Sequence, residues 1–211
     1  MKLYITPGSP YARLARIVVL EKNLASRVEV IPAQTRLAHS PYYAINPSGR
    51  VPYLVRDDGV GLEESALICA YLDALDGKPA FGLPAGEATG EAAEEAAWEA
   101  RRLTALATSL LDGLSVWNRE ISRPENERSQ TTIEHEAARA ERMTDLWERE
   151  IGHPLMQGAL NMMQLTLACA LGLDARVPAY RWRTGHQRLA AWFERIAARP
   201  SMAATMPPVR Q

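Results

Sequence analysis

The sequence predicts a two-part chain, with an α/β domain followed by an all-α domain. Before residue 80, short alternating runs rich in β-branched residues are interleaved with helical patterns, which is typical of an α/β layer fold. After residue 90, the sequence is rich in Ala, Glu and Arg and has helical periodicity with almost no strand signal. A stretch rich in Gly and Pro separates these two regions of different composition. We therefore predict an α/β domain over 1–76, a linker over 77–90 and an all-helical domain over 91–211.

The elements of the first domain follow from local patterns and are expected in the order βαβαββα. Ser9 is a good N-cap for the first helix, and Pro10 suits its first position. Asp57-Asp58-Gly59 is typical of a hairpin turn between the last two strands. Ser65 is the expected N-cap of the last helix. The strands are predicted at 2–5, 27–32, 51–56 and 60–63, and the helices at 11–21, 37–45 and 65–75.

The second domain is predicted as a bundle of helices at 91–120, 128–151, 161–173 and 184–199. Pro124 and Pro154 fall between consecutive helices, where a proline is tolerated. Asn161 is the expected N-cap of the third helix, with Gln164 three positions later. The run from Leu165 to Leu173 is the longest apolar run of the chain and predicts a helix buried in the domain core.

Composition excludes or disfavours several classes of function. The chain has 211 residues, with Lys+Arg 24 against Asp+Glu 25, so its net charge of −1 argues against a nucleic-acid-binding protein. Cys69 and Cys169 form no Cys-x-x-Cys pair and lie near no His cluster, so we expect buried thiols and neither a metal site nor a redox motif. We see neither a signal peptide nor a membrane-spanning run, and expect a cytoplasmic protein with no membrane partner.

The dipeptide Val51-Pro52 has two interpretations. A cis bond here would turn the backbone groups of Val51 outward, where an extended peptide ligand could pair with them as an added strand. The plainer alternative is a trans proline that starts a strand, and the dipeptide alone favours it.

Two serines at helix starts also have two interpretations each. Ser9 and Ser65 suit the role of N-cap, which is worth about 1 kcal/mol. The functional alternative is an anion site, in which free N–H groups, the helix dipole and the hydroxyl receive a negative charge. Glu64, beside Ser65, could bind an ammonium group, so the pair could hold both charges of an amino acid. The segment around Ser9 is not a nucleophile elbow, so a role in stabilising a ligand's charge is favoured over acylation.

In combination, these segments resemble the glutathione S-transferase family. The matching motifs are SPYAR at 9–13, NPSGRVPYL at 46–54, LEESALI at 62–68, and LAAWFERI at 189–196 with RPSM after it. The helical second half fits as well, and the likeness extends over essentially the whole chain. It is closest to a bacterial branch with a serine at the first helix.

The resemblance implies a thioredoxin-like N-terminal domain, an α-helical C-terminal domain and a cis Val51-Pro52 bond. It implies that glutathione is a co-substrate, with no other cofactor and no metal. The backbone of Val51 would pair with the cysteinyl part, Glu64 and Ser65 would hold the γ-glutamyl end, and Ser9 would face the sulfur. His39 and Arg50 lie where a basic side chain could meet the glycyl carboxylate. The implied glutathione-binding set is Ser9, His39, Arg50, Val51, Pro52, Glu64 and Ser65, with Ser9 as the catalytic residue.

The expected activity is transfer of glutathione to a hydrophobic electrophile, a detoxification reaction, by a homodimer. Tyr11 and three residues of the second domain, Asp112, Trp117 and Arg119, are candidates for lining the electrophile pocket. Two alternatives stay open: a non-catalytic glutathione-binding or scaffold protein of the same fold, and a specialised glutathione-dependent isomerase or dehalogenase. The absence of a cysteine at position 9 counts against a glutaredoxin-like thiol–disulfide activity.

Overall fold

The computed structural model describes residues 1–75, 80–82 and 90–208 of the chain. These form two compact units. The first contains the described residues up to Gly82 together with Pro200–Pro208, and the described part of the second runs over 90–199. The predicted linker of 77–90 lies mostly outside the described residues.

The first unit is built on a mixed four-stranded sheet of order β2-β1-β3-β4. The central strand β1 pairs in parallel with β2 and antiparallel with β3, and β3 pairs antiparallel with β4. Buried side chains of β1 and β3, Leu3 and Leu54 among them, face the core. The strand bounds are β1 Lys2–Ile5, β2 Glu29–Pro32, β3 Tyr53–Val55 and β4 Gly61–Leu62.

Two helices, α1 (Pro10–Glu21) and α2 (Ser65–Ala74), complete this α/β layer and pack against each other. Their buried faces are apolar, with Ile17 and Val18 on α1 and Ile68 and Leu72 on α2. This arrangement of helices on a mixed sheet is a thioredoxin-like fold, and it confirms the predicted fold class of this part of the chain.

Two local predictions in this unit are corrected. The helix expected over 37–45 is reduced to a 3₁₀ turn at Pro41–Ala44. The ring of a proline clashes with the residue before it and disfavours the α-helical conformation of that residue. Pro41 therefore prevents a helix from continuing through Ser40. The N-cap of α2 is Glu64 rather than Ser65, which is already the first helical residue, and the Glu64 side chain makes no capping hydrogen bond.

The second unit is all-helical. The long helix α3 packs against α4 and α6, and α7 packs against α6 and α4. Residues Met163 to Leu171 of α6 are all buried, as predicted for the longest apolar run of the chain. Asn161 caps α6 by accepting a 3.0 Å hydrogen bond from the Gln164 N–H. The bounds are α3 Glu91–Glu120, α4 Gln130–Glu150, α5 Pro154–Gln157, α6 Met162–Leu171 and α7 Gln187–Ala197.

A final short helix, α8 (Pro200–Ala204), belongs to the first unit, whereas the sequence placed it in the helical domain of 91–211. The guanidinium of Arg13, on α1, is buried and donates to the carbonyl of Met202 at 3.1 Å. Arg16 donates to the carbonyl of Ala204 at 3.3 Å. A buried cation needs acceptors, and the free carbonyls at the end of α8 supply them.

Cys69 and Cys169 are buried and form no disulfide, as their apolar context predicted. Within the described ranges, the helices include none with both the length and the apolar character required to cross a bilayer.

Candidate functional site

Strand register brings three separate segments to one edge of the sheet in the first unit. Tyr4 pairs with Tyr53, so the loop after β1 and the residues just before β3 lie at the same end. Leu54 pairs with Leu62, so the residues that follow β4 reach this end as well. The three segments contain Ser9, Val51-Pro52 and Glu64-Ser65, and their meeting is a consequence of the sheet topology.

Ser9 caps α1. Its Oγ accepts a 3.2 Å hydrogen bond from the N–H of Ala12, which confirms the predicted N-cap. No acceptor in the described part of the chain takes the hydroxyl proton of Ser9, which is half-buried. A hydroxyl that accepts one hydrogen bond becomes a stronger donor for the next. Ser9 can therefore donate to an anion at the N-terminus of α1, where the helix dipole also favours negative charge.

The Val51-Pro52 peptide bond is cis, as the resemblance implied. Neither the N–H nor the C=O of Val51 makes a hydrogen bond to another described residue. The loop before it makes a tight turn at Gly49, where φ is +65° and an added Cβ would come within 2.8 Å of the Tyr43 ring. Glycine is the residue that meets both conditions.

A polar cluster supports this loop from behind. Asn46 is buried, and its side-chain Nδ2 donates to the Arg50 carbonyl at 3.1 Å and to Glu63 Oε2 at 3.2 Å. The Tyr42 hydroxyl donates to the same Arg50 carbonyl. Ser48 Oγ donates to Glu63 Oε2 at 2.6 Å. Burial of the Tyr42 phenol raises its pKa, so the hydroxyl keeps its proton as a donor.

At the start of α2, Glu64 has a positive φ of 41° and an exposed carboxylate. Its Oε1 lies 3.4 Å from a guanidinium nitrogen of Arg50, which is also exposed. The Ser65 hydroxyl and the N–H groups of residues 65–67 have no hydrogen-bond partner among the described residues. This end of α2 thus presents unused donors beside a carboxylate and a guanidinium, a combination that suits a ligand with both charges.

Comparison with known proteins identifies the family to which the chain belongs. The family "Glutathione S-transferase, N-terminal domain" matches residues 3–80. A solved glutathione transferase family member from Pseudomonas fluorescens Pf-5, with bound S-(propanoic acid)-glutathione, is 32% identical with a TM-score of 0.80. That alignment covers 99% of this chain and 100% of the other. The chain belongs to the glutathione S-transferase family.

Other relatives agree with this assignment. A glutathione S-transferase from Methylobacillus flagellatus KT, solved with glutathione bound, is 26% identical with a TM-score of 0.84, covering 98% of this chain and 99% of that one. YibF of Escherichia coli K12, an uncharacterized GST-like protein, is 29% identical over 210 residues, 99% of each chain. The resemblance stated from the motifs is confirmed.

The other predicted site residues of this glutathione S-transferase family member have mixed placements. His39 is exposed in the loop after β2, with φ +59°, and makes no polar contact with a described residue. Tyr11 is half-buried on α1. Both stay predictions, His39 for the glycyl carboxylate and Tyr11 for the electrophile pocket.

The three candidates from α3 differ in exposure. Asp112 is exposed and lines a groove of about 610 Å³ on the helical unit, with Arg139, Met143 and four further α3 and α4 residues. Arg119 is exposed, and its Nε donates to the Ser115 carbonyl at 3.2 Å. Trp117 is buried, with its ring edge-on to Tyr180 at 6.3 Å. The Trp117 indole is thus part of the core of the helical unit, and the predicted pocket role of all three stays a prediction.

Sequence reasoning gave Tyr42 no role in the site, and it included Asn46 and Glu63 only as members of the motifs NPSGRVPYL and LEESALI. A local signal existed for Asn46. An Asn two residues before a turn serine can accept from the backbone, and Asn46 Oδ1 does accept from the Ser48 N–H at 3.1 Å. The contact to Glu63, across 17 positions, has no local signature.

Proposed function

We propose that this chain is a glutathione transferase that binds glutathione at the sheet edge of its first unit and activates the thiol at Ser9. The observation that carries the proposal is the set of unused polar groups gathered there. Among the described residues, the N–H and C=O of Val51 have no hydrogen-bond partner, no group accepts the hydroxyl proton of Ser9, and the first N–H groups of α2 are unpaired.

Each group matches a part of the tripeptide. The unpaired backbone groups of Val51 suit the extended cysteinyl residue, which would add as a short strand. The free donors at Ser65 suit the α-carboxylate of the γ-glutamyl end, and Glu64 suits its ammonium. The ion pair between Glu64 and Arg50 is exposed, so opening it for a ligand costs little.

Ser9 supplies enough energy to ionise the thiol. A free thiol has a pKa of about 8.5, and lowering that pKa by one requires about 1.4 kcal/mol of preference for the thiolate. A hydrogen bond to a charged group contributes about 1.5–3 kcal/mol, and a helix N-terminus adds about 0.3–1 kcal/mol. Together they lower the thiol pKa by roughly 1.3–3, so about half or more of the bound sulfur is thiolate at neutral pH and can attack an electrophile.

Replacing Ser9 by Ala tests this role. We expect the pKa of the bound glutathione thiol, followed by thiolate absorbance in the ultraviolet, to rise by about 1–2 because the donor is lost. Below the wild-type thiol pKa, kcat/KM for a model electrophile should fall about 10- to 100-fold. At a pH above both thiol pKa values, the two enzymes should converge, since both then hold the thiolate.

Two matched variants separate chemistry from helix capping. Ser9→Thr keeps both the cap and the donor and should retain most of the activity. Ser129→Ala removes the N-cap of α4, where Ser129 Oγ accepts from the Thr132 N–H at 3.3 Å, and should cost stability without moving the thiol pKa. A Ser9→Ala enzyme with unchanged thiol titration and turnover would contradict the proposed role.

Calorimetry with glutathione and a substrate panel distinguish the alternatives. Wild-type protein with no detectable binding at millimolar glutathione would favour a scaffold protein of the same fold. Binding without turnover of any electrophile would favour a non-catalytic glutathione-binding protein. Turnover confined to isomerisation or dehalogenation substrates would favour the specialised enzyme.

We also propose that the chain assembles as a homodimer. The outer face of α2 supports this, because all of its exposed residues, Ala66, Leu67, Ala70 and Ala74, are apolar. Leu67 is 52% exposed, and a helix that is apolar on its outer side as well as its inner side is usually covered. A second copy of the chain would cover it.

Ala70→Glu tests the homodimer. Light scattering should give wild-type protein twice the 23.3 kDa chain mass. Placing a carboxylate on the α2 face should shift the mass toward that of one chain, because burying an unpaired charge is costly. Ala191→Glu, the same change at an exposed position of α7, is the control and should leave the mass unchanged. A monomeric wild-type protein, or a dimeric Ala70→Glu variant, would contradict the proposed interface.

A further inference from the structure

The carbonyl oxygen of Arg50 is held by two side chains at once. Asn46 Nδ2 donates to it at 3.1 Å, and the hydroxyl of Tyr42 donates to it as well. Both side chains are buried, Asn46 at 2% and Tyr42 at 4% exposure. Two buried donors on one loop carbonyl are more than simple satisfaction of that carbonyl requires.

This carbonyl belongs to the peptide group whose N–H is that of Val51. The Arg50–Val51 bond is trans, since the cis bond in this loop is the next one. In a planar trans peptide the C=O and N–H point in opposite directions. Fixing the Arg50 carbonyl on its buried side therefore aims the Val51 N–H outward, and that N–H has no partner among the described residues.

Glu63 connects Asn46, one of the two donors to the Arg50 carbonyl, to the start of α2. Its Oε2 accepts from Asn46 Nδ2 at 3.2 Å and from Ser48 Oγ at 2.6 Å. Glu63 directly precedes Glu64, the N-cap of α2. The loop that presents Val51 and the segment that presents Glu64 and Ser65 are thus joined through one carboxylate oxygen.

We propose that Asn46 is a positioning residue for glutathione. Its amide orients the Val51 N–H through the Arg50 carbonyl. Through Glu63, it also fixes the distance and direction from that N–H to the N-terminus of α2. This inference rests on the proposed glutathione site. Asn46 does not touch the ligand in this role; it acts through the backbone of Val51 and through Glu63.

Asn46→Asp is the sharpest variant, because it keeps the shape and the Oδ1 acceptor for the Ser48 N–H. It replaces with an oxygen the Nδ2 donor that contacts the Arg50 carbonyl, Glu63 Oε2 and the Tyr42 hydroxyl. We expect the Kd of glutathione, measured by calorimetry, to rise about tenfold or more, which corresponds to the loss of one oriented hydrogen bond. S-methylglutathione, which has no ionisable thiol, should lose the same factor. The pKa of the bound glutathione thiol should stay at the wild-type value, since Ser9 is untouched.

Two further variants keep the test decisive if Asn46→Asp folds poorly. Tyr42→Phe removes one donor to the Arg50 carbonyl and keeps the buried ring, and it should weaken binding of both ligands in the same direction. Asn161→Ala is the stability-matched control, because Asn161 is also buried and donates to backbone carbonyls, at 2.7 Å to Leu155. It should lower stability without changing the Kd of glutathione.

The outcomes separate this inference from the proposed function. If wild-type protein binds glutathione and both Asn46→Asp and Tyr42→Phe bind it with unchanged Kd, the positioning role is overturned while the glutathione site stands. If the two variants weaken binding no more than an equally destabilised Asn161→Ala, the role is structural only and the inference is wrong. If wild-type protein binds neither ligand, the proposed function itself fails.

Discussion

Replacing Asp73 by Asn is expected to lower the free energy of unfolding by about 3–5 kcal/mol, the range for breaking a buried ion pair from one side. The ammonium of Lys22, at the end of α1, is fully buried and lies 3.1 Å from Asp73 Oδ1 on α2. The ring of Phe81 lies 5.5 Å from the same nitrogen. Asn keeps an oxygen but loses the negative charge, so a buried cation is deprived of this carboxylate.

The Asp73 carboxylate also holds the chain that follows α2. It accepts hydrogen bonds from the N–H groups of Phe81 at 3.0 Å and Gly82 at 2.9 Å. Its loss is therefore expected to loosen this segment together with the ion pair.

Urea unfolding followed by circular dichroism measures the effect. Asp58→Asn is the matched control, since its carboxylate is 51% exposed in the ion pair with Arg56, and it should cost less than about 1 kcal/mol. Adding Lys22→Met to Asp73→Asn removes the buried ammonium as well as the carboxylate and should restore part of the loss. A cost for Asp73→Asn no larger than for Asp58→Asn would contradict the buried-pair account.

A comparable loss, about 3–5 kcal/mol, is expected in the helical unit for Trp192→Ala. The Trp192 side chain is 1% exposed on α7, and its Nε1 donates to the Met156 carbonyl of α5 at 2.7 Å. Truncation would leave a cavity the size of an indole and an unpaired buried carbonyl. Far-UV circular dichroism is the suitable probe, because the substitution itself changes the tryptophan fluorescence.

Two variants calibrate this second effect. Trp192→Phe keeps most of the ring volume but loses the hydrogen bond to Met156, and should cost about 1–3 kcal/mol. Trp98→Ala removes an indole that is 58% exposed and stacks on Arg101, and should cost about 1 kcal/mol or less. Equal losses of unfolding free energy for Trp192→Ala and Trp98→Ala would show that the α5–α7 contact contributes little to stability.

Local periodicity was sufficient for most of the fold. The β1 strand and the long helix α3 have the bounds that were predicted, because strand alternation and helical spacing are properties of neighbouring residues. The α-helix predicted over 37–45 is instead a 3₁₀ turn, because the effect of Pro41 on the backbone of Ser40 outweighed the helical pattern. The helices α5 and α8 were not predicted, since segments of four or five residues carry too little periodicity to detect.

In the candidate site, too, some features could be predicted from the sequence and others could not. The motifs around Ser9, Val51-Pro52 and Ser65 marked the three segments, and the sheet register then placed them at one edge. The residues behind them were not found in this role. Asn46 forms a hydrogen bond with Glu63, 17 positions away, and the sequence around each residue contains no motif that predicts this contact.

The order of residues along the chain was enough to predict the family, the α/β and all-α halves, and the serine, proline and glutamate positions at which a glutathione ligand is proposed. Each of these depends on short motifs or on periodicity along the chain. Three contacts could be seen only in the folded chain: the burial of Lys22 with Asp73, the packing of α8 with α1, and the hydrogen bond from Asn46 to the Arg50 carbonyl. In each case a polar group removed from water needed a partner distant in the chain, and only the folded backbone selects which partner lies within hydrogen-bond reach.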